Sequence, residues 1–421
     1  MIRRPGSIVA LLTALNFLNY IDRLILGAVL PSVKAELGLS NFQSGLLATI
    51  FLLGYFVTAP IFGALAERYP RRHLIAFGIL MWSVATIATG LVHSLTGMFI
   101  ARALVGVGEA SFVTLAPTII NDVVAPAKKG RALAIFFLAV PLGGALGFVV
   151  GGFIGKNYGW REAFFVAGGP GVMLALTCLL IAEPAQKLAT AKVKLIDTAR
   201  ALMRIPMFRI AVIGYCAHTA AVGAFSFWAP TYLYEQFGLD LEKANFRFGI
   251  IIVVGGAIGT IVGGWWADRS QRRYEQVTND TPHDAAHNLN GMGALLKICA
   301  LGVGVGGVAA FGAFASPDAN LFFGLVLVSL IGVFLSTSPI NSVMLRSVPA
   351  AQRVPAMALC IFMIHAFGDL WSQPALGKIA DVLPIRLAMM LLPVVLCVAA
   401  VLWWPRKSAL RQSLPQTPLR G

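Results

Sequence analysis

The sequence has little charge. Charged residues make up only 12% of its 421 residues, against about 25% in ordinary soluble domains, and 58% of the residues are hydrophobic. Apolar runs of about 18 residues or more recur along the chain, and each is long enough to cross a hydrocarbon core of about 30 Å as a helix. This composition excludes a soluble globular protein and predicts an all-α, polytopic membrane protein.

Acidic residues are especially scarce. The chain has 18 Asp and Glu residues against 33 Lys and Arg residues, a net charge of +15. A basic balance of this size can indicate a nucleic-acid partner, but most of these bases lie between apolar spans, on the side of the membrane that would also hold both termini. By the positive-inside rule we expect both termini in the cytoplasm of a plasma-membrane protein (the inner membrane if the source is bacterial) and no nucleic-acid partner.

The few cysteines and one missing motif exclude further classes. All five cysteines lie inside apolar runs, so we expect neither a disulfide framework nor a metal site, and we expect no cofactor. No G-x-x-x-x-G-K-[ST] sequence occurs, which excludes a P-loop ATP-driven pump. The sequence HDAAH at 283–287 has no credible third metal ligand, and we assign it to a loop.

What the sequence does contain is twelve apolar spans in two groups of six, which predict two pseudo-symmetric six-helix bundles. The spans cover roughly residues 7–30, 42–65, 74–92, 97–121, 132–155, 163–182, 210–233, 246–267, 294–315, 321–345, 356–377 and 384–404. We place the bundles at 1–182 and 210–405, a cytoplasmic linker at 183–209 and a cytoplasmic tail at 406–421. Apolar residues at helical spacing from Leu195 to Met203 predict an amphipathic helix on the membrane surface, although a solvated basic loop fits as well.

The two groups of spans repeat one another. The sequence GALAERYPRR at 63–72 matches GWWADRSQRR at 264–273, with Gly, the acid, Arg and the final Arg-Arg in register. ELGLS at 36–40 likewise resembles QFGLD at 236–240. Two related six-helix halves joined by a linker are typical of secondary transporters.

The first span carries charges where each should cost about 2.5–3.5 kcal/mol. Asn16, Asn19, Tyr20 and Arg23 recur at intervals of three and four residues and share one helix face, while Asp22 lies about 100° around the helix from Arg23 and meets a different neighbour. Intramembrane charges of this kind mark substrate pathways and proton relays. The alternative is an internal ion pair that only locks helices together.

Span four repeats this pattern. Arg102 and Glu109 are seven residues apart and share one face, two turns from each other. Desolvation disfavours an ionised carboxyl group at this depth and a nearby arginine favours it, so Glu109 is a candidate for proton coupling. A static Glu–Arg brace is the alternative.

The second half has fewer candidates for the pathway. His365 and Asp369, at i and i+4 in span eleven, are close enough to hydrogen-bond. His218 stands alone in span seven, where a lone histidine is either a proton carrier or a packed polar residue.

The doubled loop resembles the signature of the major facilitator superfamily, and RALVGVGEA at 102–110 and Pro141 resemble further patterns of that superfamily. LNYIDRL at 18–24, GVGEASFVTLAPTIIND at 106–122, GWREAFFVAGGPG at 159–171 and HAFGDLWSQPALGKIAD at 365–381 resemble its Spinster branch. The resemblance implies an amphipathic substrate such as a lysolipid or sphingoid phosphate. We expect this transporter to work by alternating access, as a monomer in contact with membrane lipids. A proton-coupled symporter of a small organic anion is the alternative, because such symporters share a motif like NYIDR.

The resemblance also implies a conformational latch on the cytoplasmic side, in which loop acids and bases bind neighbouring helix ends. Carried onto this sequence, the latch residues are Gly63, Glu67, Arg71, Arg72, Asp122, Asp268, Arg272 and Arg273. Glu67 stands where Asp is usual and Pro70 where Gly is usual, which leaves the charge but changes the turn. Two other classes fit less well. An intramembrane enzyme using Glu109, His365 and Asp369 as acid and base would lack a nucleophile motif and a metal set, and a sensor would need a larger soluble domain.

Overall fold

The structure is a computed structural model that describes residues 2–183, 195–272, 282–349 and 352–405. Within these ranges the chain is almost wholly helical, and the extended pairing is limited to one isolated bridge between Ile2 and Ile181. The predicted all-α class is therefore confirmed. The tail at 406–421 lies outside the described residues.

Six long helices form the first half of the chain. They are α1 (Pro5–Leu37), α2 (Asn41–Leu65), α3 (Arg71–Leu91), α4 (Leu95–Val123), α5 (Lys129–Asn157) and α6 (Trp160–Cys178). A short 3₁₀ turn at Pro126–Lys128 precedes α5.

The second half begins with a short helix and contains several interrupted ones. The helices are α7 (Leu195–Met203), α8 (Pro206–Phe237), α9 (Leu241–Gln271), α10 (Pro282–Ala315), α11 (Ala319–Leu335), α12 (Thr337–Arg346), α13 (Arg353–Ile364), α14 (Leu370–Ala380), α15 (Ile385–Met389) and α16 (Leu391–Trp403). Residues 283–287 belong to α10, so their assignment to a loop was wrong.

Eleven helices or joined helix pairs in the described ranges are long and apolar enough to cross a membrane. The remaining predicted span, α6, is only 19 residues long and carries Arg161 and Glu162 in its first turn, which dilutes its hydropathy. The twelve spans of the sequence are therefore all helical. Three of them are interrupted: span ten at Ser336, span eleven by a π-helix at His365–Asp369, and span twelve at Met390.

The internal repeat has a conformational counterpart. Gly38 ends α1 with φ 61°, and Gly238, at the equivalent position after α8, has φ 63°. Glycine adopts this left-handed conformation at no steric cost, which is why it terminates helices so often. Ser40 then starts α2 with a capping box, in which its hydroxyl accepts from the Gln43 backbone N–H and its own N–H donates to the Gln43 side chain.

The described residues form two compact units that differ from the two halves of the sequence. The first unit contains residues up to 183 together with Ser226–Val253 and Gln373–Ile385. The second contains residues 195–225, 254–372 and 386–405. The first unit therefore includes the turns that follow α8 and α14, although both belong to the second half of the sequence.

Candidate functional site

A buried ion pair joins α1 to α4 in the first unit. The guanidinium of Arg23 donates to Glu109 Oε2 from Nε at 3.2 Å and from a terminal nitrogen at 2.8 Å. The Glu109 side chain is fully buried, whereas that of Arg23 keeps 21% of its surface exposed. Of the two side chains in this ion pair, only that of Arg23 is accessible.

Asp22 has a different partner, as its position on the helix predicts. Its Oδ2 accepts a hydrogen bond from the hydroxyl of Thr86 on α3 at 2.5 Å, and the residue is 1% exposed. The adjacent residues Asp22 and Arg23 therefore bind different helices.

Arg102 is the fourth charge of this cluster. It is 2% exposed, and its Nε and one terminal nitrogen have no hydrogen-bond partner in the described part of the chain. Its guanidinium carbon lies 5.2 Å from the ring centre of Phe51, and that of Arg23 lies 5.0 Å from the same ring. Buried donors without an acceptor are costly, so these two nitrogens are free to bind an acceptor.

Three other predicted residues line the same face of α1. Asn16 Nδ2 donates to the Phe136 carbonyl on α5 at 2.9 Å, and Asn19 is fully buried. Tyr20 places its ring 5.2 Å from the Arg23 guanidinium carbon. A Cβ on Gly143 of α5 would lie 2.6 Å from the Phe17 carbonyl oxygen, so glycine is what lets α5 approach this face.

The second unit contains the other predicted pathway residues. His365 and Asp369 are the first and last residues of the π-helix, with His365 Nδ1 2.9 Å from Asp369 Oδ2. π-Helices of this kind are rare and frequently occur at functional sites.

His218 is packed in an aromatic pocket. It is 7% exposed, its Nε2 lies 3.3 Å from the Val333 carbonyl oxygen, and its ring centre lies 5.7 Å from that of Trp403 and 5.5 Å from that of Tyr215. These contacts fit a packed polar residue, although Nδ1 has no hydrogen-bond partner in the described part of the chain, and a role for His218 in the pathway stays a prediction.

The residues assigned to the latch divide into a bound and an unbound set. Arg71 is bound: it lies 2.7 Å from Asp122 and 2.6 Å from Glu183, and it donates to the Thr118 hydroxyl at 2.9 Å. The backbone N–H of Arg72 also donates to Glu183, at 3.2 Å. Glu183 is a partner that the sequence analysis assigned to the linker.

The remaining latch residues show no such contacts. Glu67 and Asp268 are exposed, and neither has an ion pair within the residues that the structure describes. A Cβ on Gly63 would meet nothing within 4 Å, and one on Gly264 would meet only the Ser338 hydroxyl at 3.9 Å. Arg272 is exposed, and Arg273 lies outside the described residues.

The first unit contains residues from both sequence halves, and they meet at the end opposite the 63–72 loop. We call this end, which carries the turns at 38–40, 158–159 and 238–240, the Gly38 end. Lys34 lies 2.8 Å from Glu235 there, and Lys156 lies 3.0 Å from Glu242 and 3.4 Å from Asp240.

Helix α2 meets α14 at the same end through backbone contacts. The N–H groups of Asn41 and Phe42 donate to the Asp381 carboxylate at 2.7 and 3.0 Å. A Cβ on Gly45 would lie 2.6 Å from the Gln373 carbonyl oxygen. The Gly38 end is therefore held by both ion pairs and close helix packing.

Four residues around these sites are absent from the sequence predictions: Phe51, Tyr55, Thr86 and Glu183. The Tyr55 ring lies 5.7 Å from the Arg23 guanidinium carbon. Aromatic and threonine residues are common in membrane spans, so nothing in the sequence distinguishes these three. Glu183 did carry a signal, since it is an acid at the start of a basic segment.

Comparisons with known proteins agree on one family. The model of the Major Facilitator Superfamily matches residues 12–368. The chain is 28% identical to "Probable sphingolipid transporter spinster homolog 1" of Arabidopsis thaliana, over 95% of this chain and 88% of that protein. It is 30% identical to "Protein spinster homolog 1" of Homo sapiens, over 90% of this chain and 73% of that protein.

Solved structures give the same fold. A bacterial homologue of the human lysosomal transporter Spinster, in an inward-facing and occupied conformation, matches with a TM-score of 0.82 at 20% identity over 98% of each chain. The nucleoside transporter NupG matches with a TM-score of 0.69 at 15% identity, over 95% of this chain and all of that one.

Proposed function

The chain belongs to the Major Facilitator Superfamily, in its Spinster branch, and we propose that it is a proton-coupled transporter of an amphipathic, lipid-like anion. The substrate is a lysolipid or sphingoid phosphate, moved by alternating access of the two halves around a central site. Membership of a transporter family also favours this activity over that of an intramembrane enzyme.

The observation that carries the proposal is the cluster of four buried or half-buried charges in the first unit. Two carboxylates, Asp22 and Glu109, accompany two guanidiniums, Arg23 and Arg102, so the formal charges cancel when all four are ionised. The ion pair between Arg23 and Glu109 satisfies one of each, and Arg102 keeps unpaired donors. A cluster that has no net charge, and in which one guanidinium still has unpaired N–H donors, suits the binding of a proton and an anion together.

The coupling step follows from this charge balance. Protonation of Glu109 removes the ionic partner of Arg23, leaving a net positive charge that is costly in a poorly hydrated site. An anionic headgroup that binds Arg23 and Arg102 restores neutrality, and both guanidiniums match phosphate or carboxylate oxygens. One proton and one monovalent anion therefore move together, and their net movement is electroneutral.

The substrate class rests on the relatives and on the surroundings of Arg23. The plant relative is called a probable sphingolipid transporter. Around the Arg23 guanidinium lie the rings of Tyr20, Phe51 and Tyr55, all within 6 Å. Such rings offer apolar surface next to a headgroup site. A small organic anion remains the second candidate, because Arg102 supplies unpaired donors to an anion without a tail.

Alternating access also assigns roles to the two ends of the molecule. The contacts at the Gly38 end hold that end closed, and Glu67, Asp268 and the motif glycines engage when the other end closes.

The test is uptake by the full-length protein in proteoliposomes. The substrates are a lysophospholipid, the same headgroup without its acyl chain, and a small carboxylate, each with and without a pH gradient. We expect the lysophospholipid to be preferred, its uptake to respond to the gradient, and a potassium diffusion potential to have little effect. Glu109→Gln should transport without the pH dependence, since glutamine mimics the protonated acid.

Asp318→Asn is the matched control, because Asp318 only caps α11 and asparagine caps equally well. Preference for the small carboxylate would support the second candidate instead. Wild-type pH dependence in Glu109→Gln would make Glu109 a brace and move the coupling to His365 and Asp369. If no substrate accumulates, the proposed function is wrong.

A further inference from the structure

An apolar groove of about 810 Å³ lies on the second unit, between α10 and α16. Small residues form its floor, among them Ala300, Gly304 and Ala400. Its walls are large apolar side chains with high exposure, including Val305 at 57% and Val401 at 59%. In a multi-pass membrane protein, exposed apolar surface of this kind belongs next to hydrocarbon.

One end of the groove carries a cation. The ammonium of Lys297, on α10, lies 6.0 Å from the ring centre of Trp404, which directly follows α16 and lines the groove. Lys297 is exposed, and it has no ion pair within the described ranges of the chain. Tryptophan is enriched at membrane–water interfaces, and a lysine near a helix end extends its ammonium toward the interface.

The length of the groove matches one leaflet. From Lys297 to Val308, the groove follows eleven helical residues, or roughly 16 Å at 1.5 Å each. This is about half of a hydrocarbon core of roughly 30 Å. A cation at the interface and an apolar channel one leaflet deep match the two parts of an anionic phospholipid.

We propose that this groove binds one anionic phospholipid, with its headgroup at Lys297 and an acyl chain along Gly304 and Ala400. The leaflet is the one at the α16 terminus, which the charge distribution of the sequence makes cytoplasmic, where anionic lipids are concentrated. A second copy of the chain fits less well. Two grooves facing each other across a two-fold axis leave their volume unfilled and bring two Lys297 ammonium groups onto the same face.

The test is native mass spectrometry of the full-length protein, with phosphatidylglycerol and phosphatidylcholine of identical chains. We expect the wild type to retain phosphatidylglycerol preferentially, and Lys297→Gln to reduce this preference about fivefold. Lys378→Gln is the control, because that lysine lies 5.6 Å from the Phe42 ring and belongs to the first unit, whereas the groove lies on the second. It should keep the wild-type preference.

A second series tests the acyl chain. A Cβ on Gly304 would lie 3.6 Å from the Ala400 Cβ, an ordinary contact, so Gly304→Ala should fold and Gly304→Leu should fill the groove. Retention of both lipids should fall stepwise from glycine to alanine to leucine, with thermal unfolding as the check on folding. Unchanged retention in a folded Gly304→Leu, unchanged headgroup preference in Lys297→Gln, or a dimer that excludes lipid would overturn the proposal.

Discussion

Replacing Gly45 with alanine should open the Gly38 end. The added Cβ would lie 2.6 Å from both the Gln373 carbonyl oxygen and the Pro374 Cα, and both atoms are backbone, so no rotamer change relieves the contact. Ordinary contact begins at 3.4 Å, so α2 and α14 must separate by about 0.8 Å.

The size of the effect follows from the cost of overpacking. Forcing a methyl group into close-packed backbone costs about 1–3 kcal/mol. Applied to only one of two alternating states, that cost shifts the balance between them by about 5- to 150-fold. A protein that favours the closed Gly38 end would then populate both states measurably.

Spin labels measure this shift directly. Cysteines at Tyr158 and Val382, which are 68% and 79% exposed, place labels on the two sequence halves at the Gly38 end. In a background with the partly exposed Cys397 replaced by alanine, we expect Gly45→Ala to add a longer distance to the distribution.

Gly63→Ala is the matched control, because it lies on the same helix and its Cβ would meet nothing within 4 Å. In Gly63→Ala, the population with the short distance between the labels at 158 and 382 should stay the same or increase. Identical distributions for both variants and the wild type would refute the reasoning that close packing at Gly45 holds this end.

Two further predictions concern charges outside the central cluster. Glu183→Gln should lower the free energy of unfolding by about 3 kcal/mol, because both Glu183 and Arg71 are about 7% exposed and Arg71 would keep only Asp122 as a counter-charge. Thermal unfolding of this variant, compared with that of Asp122→Asn, measures the difference. At Asp240, the hydrogen bond from the Lys243 backbone N–H holds the pKa of the carboxyl group below its ordinary value of 3.8. Its contribution is thus complete above about pH 4 and is lost only as the pH falls further. Asp240→Asn should therefore leave the dependence of the label distances between pH 5 and 8 unchanged, and a change in that range would contradict this assignment.

The course of the membrane spans was predictable because it depends on local composition. An apolar run of sufficient length must be helical in a bilayer, since no water is present to satisfy the backbone. The interruptions at Ser336 and at His365–Asp369 were not predictable in this way. Both lie within apolar runs, and the choice between a continuous helix and a π-helix depends on packing against neighbours such as the Cys216 backbone, which Gly368 approaches closely.

The charged residues of the site were predictable, but their partners were not. Charges in a membrane span are so costly that each one stands out in the sequence. Spacing along α4 brought Arg102 and Glu109 to one face, yet Glu109 binds Arg23 of α1 in the structure. Which of several compatible charges pair is decided by how helices pack, and a single sequence carries no record of that choice.

The adjacency of Asp22 and Arg23 has a physical reason that a local ion pair does not supply. Because successive residues are about 100° apart, the two side chains leave α1 toward different helices, Asp22 toward Thr86 of α3 and Arg23 toward Glu109 of α4. Each charge at this depth would cost about 2.5–3.5 kcal/mol alone, so each requires its own partner on another helix. The pair thus connects α1 to two neighbours through bonds that depend on ionisation. In the proposed coupling, protonation of Glu109 would remove the ionic part of its bond to Arg23 and leave the bond between Asp22 and Thr86 in place, so a single proton would change the balance between two helix contacts.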